Sequence, residues 1–316
     1  MFDVVESRVV RFALTSLIDP DLWPFVAESR AFYAQRPAGR GPSSRDELYA
    51  LRARAATTPP GSEPPPIVET VSAGGRSVAV RIHLPVSGIT AGAFLEIHGG
   101  GFYLGSAADS DVRNRRLADT LGIAVISVDY RLAPENPWPA APDDCETAAL
   151  WLAEQAETRF GTTRLAVGGF SAGATLALAT LVRLRDRDIS AFAGGVLQFG
   201  TYDLAAQTPA GRLIADEYFL DAYAGSVPDR TLPDLSPLFA VTVGLPPILI
   251  VVGAADVLLE DNLAMAARLS AAGVDVDLRI YPESPHGFTG HPTPMARAAS
   301  AHIDAWLSGR LNPLPQ

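Results

Sequence analysis

One serine stands between glycines at the junction of two predicted elements. The segment GFSAG at 169–173, with Ser171 at its centre, follows the apolar run RLAVGG and precedes the small-residue run ATLALATL. In a strand–turn–helix context, G-x-S-x-G is typical of a nucleophile elbow, a tight turn that exposes the serine hydroxyl at the edge of a sheet. The pattern is short and occurs by chance, so this interpretation depends on the other groups that acyl transfer requires.

A serine hydroxyl is a weak nucleophile, so a neighbouring base has to take its proton. Among the five histidines, His286 lies in YPESPHGF, just after the last predicted strand, where a loop returns to the sheet edge. His291, in a Pro-rich loop, is expected to be a solvated surface residue, and His302 a packing or surface residue of the last helix. His286 is therefore the predicted base.

The base needs an acid that orients its ring, and Asp256 is the predicted one. It follows the apolar run PILIVVG in the loop before a predicted helix. The chain order Ser171, Asp256, His286 is typical of one large class of serine hydrolases. Glu260 and Asp261 lie one turn further along the helix and are weaker candidates. For Asp256 taken alone, capping the helix would be the ordinary role.

The segment His98-Gly99-Gly100-Gly101 directly follows a predicted strand. Consecutive glycines allow backbone N–H groups to approach a substrate oxygen, because no Cβ atom intervenes. We assign the N–H groups of Gly100 and Gly101, with that of Ala172 after the nucleophile, to an oxyanion hole. The alternative is a flexible glycine loop, and His98 is expected to hold this loop in place.

Composition excludes several classes of function. The net charge of −10, without basic clusters, makes nucleic acid an improbable partner. The single cysteine, Cys145, allows no intrachain disulfide and fits a cytoplasmic location. No signal peptide is predicted, and no apolar run approaches the ~20 residues of a membrane span. Without metal-binding or dinucleotide motifs, no metal or cofactor is expected.

Short apolar runs of strand length alternate with helical patterns from residue 67 onward. Strands are predicted over 67–73, 77–85, 92–98, 122–130, 164–169, 194–200, 247–253 and 275–281, and helices over 109–121, 143–158, 172–187, 257–272 and 293–308. The first two strands form a hairpin through GGR. This alternation predicts an α/β fold with a mainly parallel sheet, helices on both faces and an antiparallel edge. Open parallel sheets bind ligands at the carboxyl edge, where the triad would lie.

Two segments outside the alternation are expected to form a helical cap over that edge. We divide the chain into N-terminal cap helices at 1–58 and a catalytic domain at 59–316, with a cap insertion at about 203–235 in the long connection after the strand at 194–200. Phe102, Phe170 and Tyr218 are predicted to contact substrate. For Phe170 the alternative, which we favour, is packing beneath the glycine-rich loop that begins at His98, which we call the oxyanion loop. The cap aromatics are Trp23, Phe25, Phe32, Tyr218, Phe219 and Tyr223, and for most of them filling the cap's own core is the simpler role.

Several long motifs occur together and in order, and with them the chain resembles the hormone-sensitive-lipase family of α/β-hydrolases, the bacterial carboxylesterase group, over residues 67–310. The matching stretches are HGGGFYLGS (98–106), VDYRLAPENPWPAAPDD (128–144), GGFSAG (168–173), DLSPLFA (234–240), LPPILIVVGAADVLLEDN (245–262) and YPESPHGF (281–288). The resemblance implies a serine carboxylesterase for short- to medium-chain acyl esters, an acyl-enzyme intermediate and the cap described above. It makes a homodimer possible.

Two departures from the family pattern stand out. Phe170 occupies the position before the nucleophile where the family usually has Asp or Thr, and DVL at 256–258 replaces the common DPL. Within YRLAPE, we expect Arg131 and Glu135 to pair and hold the oxyanion loop.

Two other functions stay open on this sequence. One is a non-catalytic receptor for a small ligand on the same fold, although plant receptors that resemble the family have lost the histidine that His286 provides here. The other is a hydrolase of amides, lactones or carbamates, because one fold supports many chemistries.

Overall fold

The computed structural model describes residues 13–36, 41–55, 61–88, 90–214 and 218–312, and among these it leaves out the side chains of Ala55 and Phe219. Parts of the predicted cap, namely residues 1–12, 37–40, 56–58 and 215–217 and the Phe219 side chain, therefore lie outside the described residues.

Eight strands of the described chain form one sheet in the order β1-β2-β4-β3-β5-β6-β7-β8. Their bounds are β1 Ile67–Ala73, β2 Arg76–His83, β3 Ala93–Ile97, β4 Ala124–Asp129, β5 Leu165–Phe170, β6 Phe192–Gln198, β7 Ile248–Gly253 and β8 Val276–Tyr281. Strand β2 is antiparallel to both of its neighbours, and every other pair is parallel. The predicted α/β fold is confirmed, and each predicted strand is present within two residues of its expected ends.

Helices cover both faces of the sheet. Their bounds are α1 Val26–Ala34, α2 Arg45–Ala55, α3 Asp111–Leu121, α4 Ala140–Phe160, α5 Ala172–Arg185, α6 Pro209–Ile214, α7 Tyr218–Ala224, α8 Leu259–Ala271 and α9 Pro294–Leu311. Short 3₁₀ turns lie at Leu14–Ser16, Pro20–Phe25, Ala107–Ser110, Pro237–Phe239 and Phe288–Gly290. Helices α4, α5 and α8 contribute to the core on one face, and α3 and α9 to the core on the other.

Local sequence explains where the longer helices begin and end. Helix α4 ends at Gly161, which is left-handed (φ 71°) and donates its N–H to the last carbonyls of the helix. Helix α9 begins with a proline after Thr293, whose side chain accepts from the Ala296 N–H. Strands β3, β5, β7 and β8 are parallel to one another. Their carboxyl ends therefore lie along the same edge of the sheet.

Candidate active site

Ser171 lies in the turn between β5 and α5, with φ 54° and ψ −126°. A positive φ is strained for a residue with a side chain, at a cost of about 1–3 kcal/mol, and persists only where the surrounding structure imposes it. Here the turn is closed so tightly that a Cβ on Gly169 or Gly173 would lie 2.4 Å or 2.1 Å from the carbonyl oxygen of Ile97. The two glycines of G-x-S-x-G are therefore required by close backbone approach.

The three side chains selected from the sequence form one hydrogen-bonded chain. His286 Nε2 lies 2.9 Å from Ser171 Oγ, and His286 Nδ1 lies 3.1 Å from each carboxylate oxygen of Asp256. Asp256 is buried, and its Oδ1 also accepts from the Leu258 N–H at 2.9 Å. A carboxylate at Nδ1 favours the tautomer that carries the proton there, which leaves Nε2 free to accept the serine proton. The buried Phe199 ring packs against the imidazole in a T-shaped arrangement, with the ring centres 5.1 Å apart.

The other two acidic candidates do not reach His286 in this way. Asp261 is buried in the first turn of α8, and its Oδ2 accepts from the Tyr202 N–H at 2.5 Å. Burial is the main reason that the pKa of Asp261 is raised to about 6, and nearby Asp203 adds to the effect. Asp261 thus holds the start of the predicted cap insertion, whereas Asp256 orients the imidazole.

The Gly101 N–H is oriented by hydrogen bonds to the carbonyl of its own peptide unit. In a trans peptide, the C=O and N–H groups point in opposite directions. Hydrogen bonds that hold the carbonyl in place therefore also set the direction of the N–H. The Gly100 carbonyl accepts from the N–H groups of Tyr103 (3.2 Å) and Leu104 (2.8 Å). Gly100 has φ 114°, and a Cβ there would lie 2.1 Å from the Leu104 carbonyl oxygen, so the turn requires glycine.

The preceding peptide unit is fixed in the same manner by His98. Its Nδ1 lies 2.8 Å from the Gly99 carbonyl oxygen, which makes Nδ1 the protonated nitrogen and sets the direction of the Gly100 N–H. The His98 ring stacks on Tyr130 at 4.1 Å, and the Tyr130 hydroxyl donates to the His98 carbonyl at 3.0 Å. Burial lowers the pKa of His98 and keeps the ring neutral. The expectation that His98 holds the loop agrees with this geometry.

Ala172 supplies the third predicted donor as the first residue of α5. The Ser171 carbonyl accepts from the N–H groups of Ala174 (2.9 Å) and Thr175 (3.3 Å), which directs the Ala172 N–H away from the helix. The hydrogen bonds found among the described residues give the N–H groups of Gly100, Gly101 and Ala172 no acceptor. A polarised carbonyl oxygen is the kind of group that such fixed donors bind.

Comparison with known proteins identifies the scaffold. A sequence profile of the family described as alpha/beta hydrolase fold matches residues 94–290 of this chain. The chain belongs to this family.

Several relatives of this α/β-hydrolase carry names of ester hydrolases. Carboxylic ester hydrolase LipN of Mycobacterium tuberculosis is 34% identical over 295 residues, covering 86% of this chain and 77% of LipN. Ethyl acetate hydrolase of Pseudomonas putida is 34% identical over 229 residues, covering 68% of this chain and 72% of that protein. The crystal structure of EstE5 soaked with p-nitrophenyl butyrate aligns with a TM-score of 0.75 at 27% identity, over 91% of this chain and 99% of EstE5.

The three residues predicted to contact substrate occupy different environments in this α/β-hydrolase. The Phe102 ring is 1% exposed and stacks on Tyr223 at 3.9 Å, which is the environment of a core residue. Phe170 is half-buried, and a Cβ on Gly99 would lie 2.7 Å from its ring. Tyr218 is half-buried with its ring centre 6.2 Å from that of Tyr103. These contacts support packing roles for Phe102 and Phe170, and substrate contact stays a prediction for all three residues.

Two expectations about side chains near the site are wrong. His291 is half-buried rather than solvated, because its Nδ1 bonds the Tyr33 hydroxyl at 3.0 Å. Arg131 and Glu135 do not pair with each other. Arg131 forms a salt bridge with the buried Asp144 at 2.8 Å, and Glu135 pairs with Arg52 from helix α2.

The N-terminal segment contacts both loops of the site, which no sequence motif marks. Arg30 of α1 forms a salt bridge with Glu283 at 2.7 Å, in the loop that carries His286. From helix α2, Arg52 donates to the Tyr103 carbonyl at 2.8 Å, in the oxyanion loop. No helix in the described ranges of the chain combines the length and the apolar character that crossing a bilayer needs.

Proposed function

We propose that this protein is a serine carboxylesterase in which Ser171 is the nucleophile, His286 the general base and Asp256 the residue that orients it. The observation that carries the proposal is the unbroken hydrogen-bonded chain from Asp256 through His286 to Ser171 Oγ, with Ser171 on a strained elbow. The esterase names of the relatives give independent support for ester hydrolysis.

The geometry supports a two-step reaction through an acyl-enzyme. Ser171 Oγ attacks the ester carbonyl carbon while His286 Nε2 takes its proton, and the resulting oxyanion accepts from the N–H groups of Gly100, Gly101 and Ala172. Collapse breaks the C–O bond to the alcohol, which leaves with the proton from His286. Water then attacks the acyl-enzyme, with His286 again taking the proton, and the acid is released as Ser171 regains its hydrogen.

We further propose that the acyl group is short to medium in length and that the segments at 1–58 and about 203–235 cap the site. The names ethyl acetate hydrolase and EstE5 with p-nitrophenyl butyrate support small acyl groups. In support of the cap insertion, Tyr223 stacks on Phe102, and its carbonyl accepts from the Trp138 N–H at 2.9 Å. Trp138 Nε1 also donates to Asp234 at 3.1 Å, near the end of the same segment.

The test is turnover of p-nitrophenyl butyrate and labelling by a fluorophosphonate. Ser171→Ala should lose labelling and lower kcat by several orders of magnitude, while the remaining oxyanion donors leave a rate above that of water. Ser190→Ala, which removes an exposed serine, is the matched control and should behave as wild type. Labelling that persists in Ser171→Ala would contradict the assignment of the nucleophile.

The same preparation separates the alternatives. A receptor would bind a small ester without turning it over. A preference for the amide, lactone or carbamate over the ester with the same acyl group would redirect the substrate class while leaving the triad in place.

A further inference from the structure

Helix α2 presents one arginine to the loops that frame the oxyanion hole. Arg52 donates from Nε to the Tyr103 carbonyl (2.8 Å), from Nη1 to Glu135 (2.8 Å) and from Nη2 to the Ala133 carbonyl (2.5 Å). The Arg52 side chain is 23% exposed. The helix is anchored one turn earlier by Leu48, whose side chain is fully buried. The planar fork of a guanidinium suits three acceptors held in fixed directions, which a lysine ammonium could not satisfy together.

The two loops that Arg52 joins are already linked to the predicted oxyanion donors. The Ala133 N–H donates to the Phe102 carbonyl at 3.0 Å, which links the segment 131–135 to the oxyanion loop. The Tyr103 N–H donates to the Gly100 carbonyl, which belongs to the same peptide unit as the Gly101 N–H. Arg52 therefore restrains, through the carbonyl of Tyr103, one of the two residues whose N–H groups set the direction of the Gly101 N–H.

We propose that Arg52 is a positioning residue for the oxyanion hole, through which the N-terminal segment keeps the Gly101 N–H directed at the reacting carbonyl. This inference rests on the proposed function, because it needs an oxyanion to act upon. It assigns a part of the catalytic geometry to a helix that carries none of the triad residues.

Arg52→Ala should lower kcat for p-nitrophenyl butyrate by about 10- to 100-fold, less than the loss of an entire oxyanion donor. KM should change little, because a misdirected donor weakens binding of the transition state far more than that of the ester. The affinity for an alkylboronic acid, which forms a tetrahedral adduct on Ser171, should fall by a similar factor, while inhibition by butyrate should not change. If Arg52→Ala instead loosened the structure in general, KM would rise and inhibition by butyrate would weaken as well.

Three matched variants isolate the guanidinium contacts. Arg159→Ala removes the same charge from helix α4, where Arg159 pairs with Glu69 of the edge strand β1, and should keep wild-type kinetics. Glu135→Gln removes the ion pair but keeps both carbonyl contacts, and it should lose little activity. Arg52→Lys should recover only part of the rate, and millimolar guanidinium chloride should raise kcat of Arg52→Ala but not of the wild type.

Each outcome separates this inference from the proposed function. Wild-type kcat in a folded Arg52→Ala enzyme, with Ser171→Ala inactive, would overturn the role of Arg52 and leave the esterase proposal intact. A rate loss in Glu135→Gln equal to that in Arg52→Ala would move the role from the carbonyl contacts to the ion pair and overturn the proposal as stated. If Ser171→Ala stays active, the proposed function fails first. Should Arg52→Ala not fold, the Arg52→Lys and Glu135→Gln pair carries the same comparison.

Discussion

At the scale of single residues, the position before the nucleophile is where this chain departs most from its family. An Asp at that position could accept hydrogen bonds from nearby backbone, and a phenylalanine cannot. The structure gives Phe170 two other contacts: its ring lies against Gly99, and the Arg113 guanidinium lies 4.6 Å from the ring centre. Packing and a cation–π contact thus take the place of hydrogen bonds beneath the oxyanion loop.

Phe170→Ala should lower the free energy of unfolding by about 2 kcal/mol, roughly half the cost for a fully buried ring, because Phe170 is half-buried. The turnover of short and long p-nitrophenyl esters should fall together, because the oxyanion loop loses its contact with the Phe170 ring. Phe170→Leu keeps most of the packed volume, so its stability in urea unfolding and its kcat should lie between those of the wild type and of Phe170→Ala. Unchanged stability with a shifted chain-length preference would instead place the ring in the acyl pocket.

At the scale of elements, the N-terminal segment is part of the folded domain's surface and of its site. Ile18 forms a parallel bridge to Ile280 in β8, and Leu22 is buried against the core that α9 covers. Helix α1 contacts the loop after β8 through Arg30 and Tyr33, while α2 contacts the oxyanion loop through Arg52. The segment therefore touches both loops that the proposed reaction uses.

Deleting residues 1–40 should expose the apolar surface beneath Leu22 and lower activity on every ester, because the loop of His286 loses its contacts with α1. The loss in kcat should be smaller than in a deletion of residues 1–56, which also removes Arg52. Binding of a hydrophobic dye, urea unfolding and kcat with two ester lengths measure these effects. If the shorter chain aggregates, Leu22→Ala and Tyr33→Phe test the same contacts one at a time. A stable truncated protein with wild-type rates would exclude a role for α1.

At the scale of the whole molecule, patterns local in sequence predicted the fold and selected three candidate side chains that are hydrogen-bonded to one another in the structure, whereas contacts distant in sequence were missed. The eight strands follow from apolar runs bounded by glycine and proline, and the elbow follows from two glycines that close backbone approach requires. The contact between Arg52 and Tyr103 joins positions 51 apart, and that between Tyr33 and His291 joins positions 258 apart. The residues around Arg52 or Tyr33 form no pattern that indicates these distant partners.

The wrong pairing of Arg131 with Glu135 has the same cause. The two residues are neighbours in YRLAPE, and proximity in sequence suggested an ion pair. In the fold, the buried Asp144 of α4 accepts from both the side chain and the backbone N–H of Arg131, which satisfies a carboxylate that would be costly to leave unpaired. Glu135 is then available to Arg52.

Asp261, a buried carboxyl group near the site, makes the stability of the whole molecule depend on pH. Its carboxyl group is buried between α8 and the start of the predicted cap insertion, with Oδ1 lacking a partner among the described residues. Because burial raises its pKa from 3.8 to about 6, the folded state favours the protonated form. The stabilising contribution is fully present below pH 3.8 and is lost as the pH rises through about 6. A difference of this size corresponds to about 3 kcal/mol.

Asp261→Asn cannot ionise, so the free energy of unfolding of the wild type should fall relative to the variant by about 2 kcal/mol between pH 4 and pH 7, because part of the total of about 3 kcal/mol is already lost at pH 4. Urea unfolding at several pH values measures the difference, in which other titrating groups cancel because both proteins contain them. Asp275→Asn, which replaces an exposed carboxylate that pairs with Arg310 at 3.0 Å, is the control for the loss of one acidic side chain. A constant difference between wild type and Asp261→Asn over this range would mean that Asp261 is ionised throughout. The hydrogen bond from the Tyr202 N–H would then be strong enough to hold a buried charge.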